Sequence, residues 1–323
     1  MAIDFLVSGG GGFIGSNMTE FLVRQGATVR VFDNFLTGRR DNLQAVAGKI
    51  DLVEGDLREA AQVRRAMAGV RHVIHMGALP SVPRSVAEPQ LAHDININGT
   101  LNLLLAARDA KCERVVFSSS SAIYGETPTL PKQEEMTPAP VSPYGLHKIT
   151  GEYYGSVFWQ LYGLPTVALR YFNVFGPRQD PKSEYAAVIP KFITTMLAGK
   201  PPVIFGDGTQ SRDFTHVQNV LEANLAACRA PREAFGQSFN IACAGRITLR
   251  ELVQTINELL GTKIAPRFDP PRAGDIKHSQ ADVRKAAARL GWNPRIGFAE
   301  GLRQVVEWYR AGANPATATT SVG

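Results

Sequence analysis

Short apolar runs alternate with stretches of helical spacing along the first half of the chain. Residues 3–9 are apolar and end in glycine, which predicts a buried strand. Residues 13–26 place apolar side chains at helical spacing and close on Gly26, which predicts a helix. The same reasoning predicts strands over 27–34, 49–56, 72–78, 114–121 and 164–172 and helices over 90–110 and 144–162. This alternation is typical of parallel βαβ units and predicts an α/β fold with a doubly wound parallel sheet.

The pattern changes after residue 172, where loops separate short elements. Helices are predicted over about 189–198 and 248–260, and Thr248 with Glu251 forms a capping box at the start of the second. Residues 126–143 hold five prolines and predict a surface loop, either a lid or a rim.

These changes divide the chain into three parts. We expect a sheet domain over residues 1–172, to which later parts of the chain return, and a smaller C-terminal α/β domain over 173–310. The small, polar residues 311–323 predict a disordered tail.

Composition and charge narrow the class of protein. Of 323 residues, 44% are hydrophobic and 20% charged, as in globular proteins. No apolar stretch reaches the ~18 residues of a membrane span, and the N-terminus lacks a signal peptide's basic region, so we expect a cytoplasmic protein without membrane contact. Cys112, Cys228 and Cys243 are widely spaced and fit reduced thiols, with no metal site. The net charge is +6, but no basic run reaches five residues, which favours an anionic small molecule over nucleic acid.

A glycine-rich turn follows the first predicted strand. Gly9, Gly12 and Gly15 allow a tight turn whose backbone approaches a diphosphate at a helix N-terminus. Asp33 follows Gly15 by 18 residues, and a carboxylate there accepts ribose hydroxyls and repels a 2′-phosphate. The sequence therefore predicts a dinucleotide-binding (Rossmann) sheet that prefers NAD. Asp56 ends the third predicted strand, and its side chain either contacts the adenine or only stabilises a turn.

A tyrosine and a lysine lie where the fifth strand leads into the next helix. Tyr144 and Lys148 are four residues apart and share one helix face. An ammonium group beside a phenol lowers the phenol's pKa, which predicts Tyr144 as a general acid and base. The serines at 118–121 end the fifth strand, where ligands bind in such sheets.

Ten motifs carry a resemblance to a known family. In chain order they are SGGGGFIG, VFDN, GDL, HMGA, NGTLNLL, FSSSSAIYG, YGLHK, RYFNVFGPRQ, GDGTQSRDF and PRAGDIKHSQAD. Over about residues 3–310 the sequence resembles the extended short-chain dehydrogenase/reductase family, most of all its UDP-hexose 4-epimerase branch. The resemblance implies NAD bound by the first domain and a UDP-sugar substrate bound by the second.

The resemblance also implies the site residues. Ser120 matches the catalytic hydroxyl, Tyr144 the base and Lys148 its partner. The implied cofactor-binding residues are Gly9, Gly12, Phe13, Ile14, Gly15, Asp33, Asn34, Gly38, Asp56, Leu57, Met76, Ala78, Asn96, Ser118, Tyr144, Lys148 and Tyr171. The implied substrate-binding residues are Ser81, Ser120, Ser121, Tyr144, Asn173, Ala187, Val188, Arg212, Arg272, Asp275 and Ser279. In the second set Asn173, Arg212 and Arg272 match diphosphate ligands, and Asp275 matches the residue on the ribose.

The two residues that follow Ser120 favour epimerisation within this family. Dehydratases carry an acidic pair there and UDP-glucuronate decarboxylases a glutamate, whereas this chain has Ser121 and Ala122. The resemblance implies 4-epimerisation, in which Tyr144 takes the sugar hydroxyl proton, hydride passes to NAD, and the keto sugar turns over before hydride returns. A UDP-glucuronate 4-epimerase, a decarboxylase and a nucleotide-binding regulator without turnover remain as alternatives.

The resemblance extends to the sugar and to assembly. Ser279 matches a gate beside the sugar's 2-substituent, and its small side chain leaves room for an N-acetyl group. Ser81 also resembles members that act on N-acetylhexosamines, whereas Ala122 lacks a hydroxyl that some of them have. The helices at about 90–110 and 144–162 keep apolar residues on more than one face and predict a homodimer.

Overall fold

A seven-stranded parallel sheet forms the larger part of the fold. The computed structural model describes residues 2–181, 187–271 and 277–313. Its strands are β1 Ile3–Ser8, β2 Val29–Asp33, β3 Ile50–Glu54, β4 Val70–His75, β5 Arg114–Ser120, β6 Thr166–Tyr171, β7 Val174–Phe175, β8 Val203–Phe205, β9 Ser211–Arg212, β10 Thr215–His216, β11 Gln237–Ile241, β12 Ile247–Thr248 and β13 Arg267–Asp269. The order in the large sheet is β11-β6-β5-β4-β1-β2-β3, and all neighbours are parallel.

Helices cover both faces of this sheet. The α-helices of the described ranges are α1 Phe13–Arg24, α2 Ala60–Ala66, α3 Val82–Ala87, α4 Pro89–His93, α5 Gly99–Asp109, α6 Pro143–Tyr162, α7 Val188–Leu197, α8 Val217–Cys228, α9 Leu249–Leu260, α10 Arg284–Leu290 and α11 Phe298–Ala313. Helices α1 and α8 pack together on one face, and α2, α5 and α6 on the other. The predicted doubly wound sheet is therefore confirmed. None of the helices in the described ranges is long and apolar enough to span a bilayer.

Each face has its own buried core, because strand side chains alternate between the faces. On one face Val7, Val31, Val116 and Val167 pack against Met18, Leu22, Val220 and Leu221. On the other face Leu6, Phe32, Val73 and Val115 pack against Val63, Leu103, Leu104 and Phe158. These runs of apolar residues are the signal from which the strands were predicted.

The smaller C-terminal part has a separate core. Helices α7, α9 and α11 pack on one another around Ile193, Ile204, Leu252, Ile256, Leu302 and Val305. Helix α9 begins with the predicted capping box, in which Thr248 Oγ1 accepts a hydrogen bond from the Glu251 amide at 3.1 Å. The helix ends at Gly261 with a φ of +69°.

The structure refines several predicted boundaries. Strand β11, from the C-terminal part, pairs with β6, so the chain returns to the large sheet there. The predicted helix over 90–110 is divided by a π-helical turn at Asp94–Asn98. Helix α11 reaches Ala313, three residues into the predicted tail, and 314–323 lie outside the described residues. Helices α8 and α11 were not predicted from the sequence.

The loop predicted over 126–143 is tied to the C-terminal part rather than hanging as a lid. Lys132 donates from its amide to the Gln280 carbonyl at 2.8 Å and accepts from the Asp282 amide at 2.8 Å. A carboxylate oxygen of Glu134 accepts from the amide of Asn240 in β11 at 2.8 Å. The loop therefore forms a fixed rim, one of the two forms that its prolines predicted.

Candidate active site

The glycine turn between β1 and α1 is too close to neighbouring backbone for side chains. A Cβ on Gly9, whose φ is +71°, would lie 2.7 Å from Gly77. A Cβ on Gly15 would overlap the carbonyl oxygen of Gly9, and one on Gly38 would lie 2.8 Å from the Gly11 carbonyl carbon. The turn therefore presents bare backbone at the N-terminus of α1, which is the cradle a dinucleotide diphosphate needs.

Asp33 fixes this turn from the end of β2. Its buried carboxylate accepts the amide of Gly11 at 2.8 Å and the amide of Phe35 at 2.7 Å. Burial raises the pKa of Asp33, and the two amide bonds oppose that rise. The carboxylate thus stands beside the diphosphate cradle, where it can accept the ribose hydroxyls of NAD. The residues present therefore fit this cofactor.

Asn34 and Asp56 lie together at the ends of β2 and β3. The Asn34 amide donates to Asp56 at 2.8 Å. Arg58 donates to the same carboxylate from its side chain and its backbone amide, and its side-chain bonds lower the pKa of Asp56 to about 2. Asp56 therefore has a turn role, and its contact with the adenine stays a prediction.

The loop after β4 closes the cradle from the other side. Met76 donates from its amide to the Ser8 carbonyl at 3.1 Å, and a Cβ on Gly77 would lie 2.7 Å from Leu57. Asn96 is buried and binds both backbone groups of Leu79, accepting at 2.7 Å and donating at 3.2 Å. Its side chain therefore holds this loop in place. The other predicted cofactor residues here, Phe13, Ile14 and Ala78, are partly buried.

Ser120, Tyr144 and Lys148 meet at the end of β5, as the sequence predicted. Ser142 caps α6 by accepting the Gly145 amide at 3.1 Å, which places Tyr144 in the first turn. Ser120 forms a hydrogen bond with the Tyr144 hydroxyl. The Lys148 ammonium lies 5.7 Å from the centre of the Tyr144 ring. This arrangement places a proton donor and acceptor at the carboxyl end of β5, the same edge of the parallel sheet at which the glycine turn follows β1.

The pKa values of the pair differ from the sequence expectation. Burial raises the pKa of Tyr144 to about 12, and the bond from Ser120 only partly opposes this shift. Burial lowers the pKa of Lys148 to about 8. The expectation that Lys148 makes Tyr144 more acidic is therefore wrong for the protein alone, because desolvation of the phenolate raises the pKa and the opposing effect comes from Ser120.

Tyr171 completes a buried polar group behind the site. Its hydroxyl lies 3.1 Å from Ser118 Oγ and receives the Asn224 amide at 2.9 Å. Burial raises the pKa of Tyr171 to about 12, so it stays protonated at neutral pH. These bonds fix the strand end that carries Ser120.

A cavity of about 500 Å³ is lined mainly by residues of the C-terminal part, together with Val82 and Pro83 of α3. Four predicted substrate residues line it: Asn173, Ala187, Val188 and Arg212. Helix α3 connects the cavity to the tyrosine, because Val82 lines the cavity and Ser85 accepts the Tyr144 amide at 3.1 Å.

The remaining predicted substrate residues are not among the residues that line this cavity, or they lie outside the described residues. Ser81 caps α3 by accepting the Arg84 amide at 3.1 Å, and Ser121 begins the 3₁₀ turn after β5. Ser279 is buried and donates from its amide to the Ser211 carbonyl at 3.0 Å, next to Arg212. Arg272 and Asp275 lie outside the described residues.

Known proteins match this chain over nearly its whole length. Residues 5–242 match the NAD dependent epimerase/dehydratase family. The chain belongs to this family. A UDP-glucose 4-epimerase of Mycolicibacterium smegmatis is 37% identical over 309 residues, 94% of this chain and 98% of the relative.

Two solved epimerase structures share the fold. One is a UDP-N-acetylglucosamine 4-epimerase from Methanobrevibacter ruminantium in complex with UDP-N-acetylmuramic acid, which is 39% identical with a TM-score of 0.91 over 97% of this chain and 100% of that one. The other is a Thermus thermophilus UDP-glucose 4-epimerase with NAD, 39% identical with a TM-score of 0.85 over 95% and 99%. The predictions of the family, of an NAD-dependent nucleotide-sugar epimerase and of NAD as cofactor are confirmed.

The structure of this epimerase-family chain adds residues that the sequence analysis missed. Lys191, Phe205, Gln210 and Phe214 line the same cavity. Lys191 lies on the predicted helix α7 but belongs to no motif, and the other three lie in or beside short strands that no pattern marked. Glu152 has a weak signal, because it lies one helical turn after Lys148 on the same face.

Proposed function

We propose that this enzyme catalyses the NAD-dependent 4-epimerisation of a UDP-hexose. The substrates are UDP-glucose and UDP-galactose together with UDP-N-acetylglucosamine and UDP-N-acetylgalactosamine. One observation carries the proposal: Ser120, Tyr144 and Lys148 meet at the carboxyl end of β5, in the parallel sheet whose β1 leads into the glycine cradle, and α3 links Tyr144 to the cavity lined by Arg212. A proton-transfer group at that place meets both a cofactor and a nucleotide sugar.

Tyr144 moves the proton in the proposed reaction. Its oxygen accepts the proton of the sugar's 4-hydroxyl and later returns it, with Ser120 holding the sugar oxygen in line. NAD, when bound, supplies the two-electron acceptor and donor at C4. Because burial raises the pKa of Tyr144, the phenolate needs the Lys148 ammonium and the positive charge of the oxidised cofactor nearby.

The cavity residues hold the nucleotide while the sugar turns over. Arg212 suits a diphosphate because a guanidinium offers several donors to phosphate oxygens. Its Nη1 donates to the Ser211 carbonyl at 3.1 Å, which fixes the side chain at the cavity wall. Lys191 adds a second positive charge to the lining. Arg272 and Asp275 remain predicted ligands of the diphosphate and ribose.

The two residues after Ser120 favour epimerisation over the elimination of water. Residues 121–124 form a 3₁₀ turn in which the Ala122 amide donates to Ser120 Oγ at 3.2 Å. Ser121 and Ala122 provide no carboxylate beside the sugar, so the proton donor and base of a dehydratase are missing. The glutamate that UDP-glucuronate decarboxylases carry at these positions is also absent from this chain.

Two serines favour substrates with an N-acetyl group. Ser279 is small and lies next to the strand that carries Arg212. Ser81 lies at the start of α3, whose Val82 lines the cavity. A bulky residue at either place would narrow the room beside the sugar.

A screen of UDP-sugars with product identification tests the proposal. Purified protein receives each UDP-hexose, UDP-N-acetylhexosamine and UDP-glucuronate without added NAD. We expect interconversion at C4 with unchanged product mass. A product lighter by CO₂ or water, or turnover of UDP-glucuronate alone, would contradict the proposal in favour of the other family activities. Absence of turnover with every sugar would leave a nucleotide-binding regulator.

The outer face of α6 supports a homodimer. Leu146, Tyr153, Val157 and Leu161 are exposed and follow one another at helical spacing. An apolar stripe of this length is expected to be covered by a partner, and we propose a second copy of the chain pairing through α5 and α6. The cytoplasmic location stays a prediction.

A further inference from the structure

A buried carboxylate lies one helical turn beyond Lys148 on α6, and the proposed reaction does not use it. Glu152 has a side chain that is only 3% exposed. Arg170 of β6 donates to it from Nε at 2.9 Å and from Nη2 at 2.7 Å. The hydroxyls of Ser119 and Ser238 also donate to it, the second at 2.6 Å. Glu152 is therefore an ion-paired and fully bonded charge inside the protein.

The bonds of Glu152 join α6 to the strand end that carries the catalytic serine. Ser119 lies between Ser118, whose carbonyl accepts the Lys148 ammonium at 2.7 Å, and Ser120, which binds the Tyr144 hydroxyl. The hydrogen bond from Ser119 to Glu152 fixes this strand end against the helix. The spacing between the two elements sets the geometry of the catalytic group.

The charge of Glu152 also acts on Lys148. Burial favours the neutral amine of Lys148, and the attraction of Glu152 opposes this and raises its pKa. Two apolar side chains would fill the same space without the cost of removing charges from water. A buried ion pair at this place is therefore not explained by stability alone. Its position next to Lys148 instead indicates an electrostatic role.

Other titratable groups face Lys148 from two elements. On α6 they are Tyr144 and His147, and on β4 His75. Burial lowers the pKa of both histidines, so they are neutral at neutral pH and add no positive charge. Arg170 forms an ion pair with Glu152. The Glu152 carboxylate is the anion that stabilises the Lys148 ammonium.

We propose that Glu152 is a positioning residue for the catalytic group, holding Lys148 in its ammonium form and the end of β5 against α6. The inference rests on the proposed function, because it assigns Glu152 to the proton transfer of Tyr144. Removal of the negative charge lets Lys148 lose its proton at a lower pH, and the phenolate of Tyr144 then lacks its cation.

The pH profile of the full-length, NAD-loaded enzyme tests this inference. Glu152→Gln keeps the side-chain shape and removes the charge. In the plot of kcat against pH, we expect the alkaline limb to shift to lower pH by about one unit. The KM for the UDP-sugar and the NAD content should stay unchanged. Glu152→Asp keeps the charge and should restore the wild-type limb. Ser238→Ala removes one bond to the same carboxylate and is the matched control, with its limb unmoved.

A purely structural role would give a different result. Glu152→Gln would then lower kcat equally at all pH values, or lower only the melting temperature, and either outcome overturns the inference. If Glu152→Gln does not fold because Arg170 is left unpaired, the double variant Glu152→Gln/Arg170→Gln removes both charges and should still show the lowered limb.

Failure of the inference is distinguishable from failure of the proposed function. Wild-type epimerisation that is abolished by Tyr144→Phe, together with an unmoved limb in Glu152→Gln, rejects the role of Glu152 alone. Wild-type protein without activity on any UDP-sugar rejects the proposed function and with it the proton transfer that Glu152 would support.

Discussion

The Lys148 ammonium donates a hydrogen bond of 2.7 Å to the carbonyl oxygen of Ser118. This bond ties the catalytic helix to the strand whose last residue, Ser120, binds the Tyr144 hydroxyl. The three side chains are therefore held together, although they come from two elements. Their joint position makes Tyr144 the group whose removal should matter most.

Tyr144→Phe is expected to abolish epimerisation while NAD remains bound. Phenylalanine keeps the ring's packing but removes the transferable proton, and general acid–base catalysis contributes roughly 10²–10⁴-fold to a rate. Steady-state kinetics and the absorbance of released cofactor measure the two quantities. Tyr153→Phe, on the exposed side of the same helix, is the control and should keep full activity. Near-normal turnover in Tyr144→Phe would reject the assignment.

Gly15→Ala should remove NAD binding, whereas Gly48→Ala should leave it intact. A Cβ at residue 15 would overlap the carbonyl oxygen of Gly9, but a Cβ at residue 48 meets nothing within 4 Å. The wild-type protein is expected to copurify with NAD without any being added, because the reaction regenerates the oxidised form. Cofactor content after purification checks both statements. Equal NAD content in the two variants would contradict the diphosphate cradle, and strict dependence on NADP would contradict the role of Asp33.

The sequence predicts the cradle and the catalytic group well, because both depend on local spacing. Gly9 and Gly15 lie within one turn, and Tyr144 and Lys148 lie within one helix. The pKa of Tyr144 could not be predicted, since it depends on how deeply tertiary packing buries the phenol. The lining of the substrate cavity was missed in part for the same reason, since Phe205 and Phe214 meet only through tertiary packing.

His75 should make the protein less stable in acid. It is fully buried between Ser8 and Thr100, at 2.7 and 3.0 Å, and burial lowers its pKa from 6.5 to about 3. Below pH 6.5 the unfolded chain binds a proton that the folded protein does not, so stability falls as the pH falls. From pH 6.5 to pH 5 this group alone should remove about 2 kcal/mol.

Urea unfolding at several pH values measures this loss. His75→Gln has no titrating group at this position. The slope of its unfolding free energy against pH in acid should therefore be smaller by about one proton. His93→Gln changes an exposed histidine and serves as the control. An unchanged dependence in His75→Gln would show that His75 does not carry the effect.

Val157→Lys should convert a dimer into a monomer. Val157 is 43% exposed in the apolar stripe on α6, where a partner's helices would bury the introduced charge without a counter-ion. Sedimentation at micromolar concentration distinguishes the two states. Leu52→Lys, at a residue 41% exposed on the edge strand β3, matches the change away from the stripe and should leave the dimer intact. Wild-type protein that sediments only as a monomer would reject the dimer.

Ser279→Tyr should remove activity on UDP-N-acetylglucosamine and keep activity on UDP-glucose. Ser279 is only 9% exposed, and its amide is bonded to Ser211 beside Arg212, so a tyrosine ring has little free space at this position. An acetamide at C2 is larger than a hydroxyl, and overpacking a filled site costs about 1–3 kcal/mol or more. The ratio of the two kcat/KM values should therefore change by at least about tenfold. Ser279→Ala, which removes the hydroxyl without adding bulk, should keep the wild-type ratio. If Ser279 only ends a segment paired with β9, the tyrosine would lower both activities equally or neither, and an unchanged ratio would remove the main reason for assigning N-acetylated substrates.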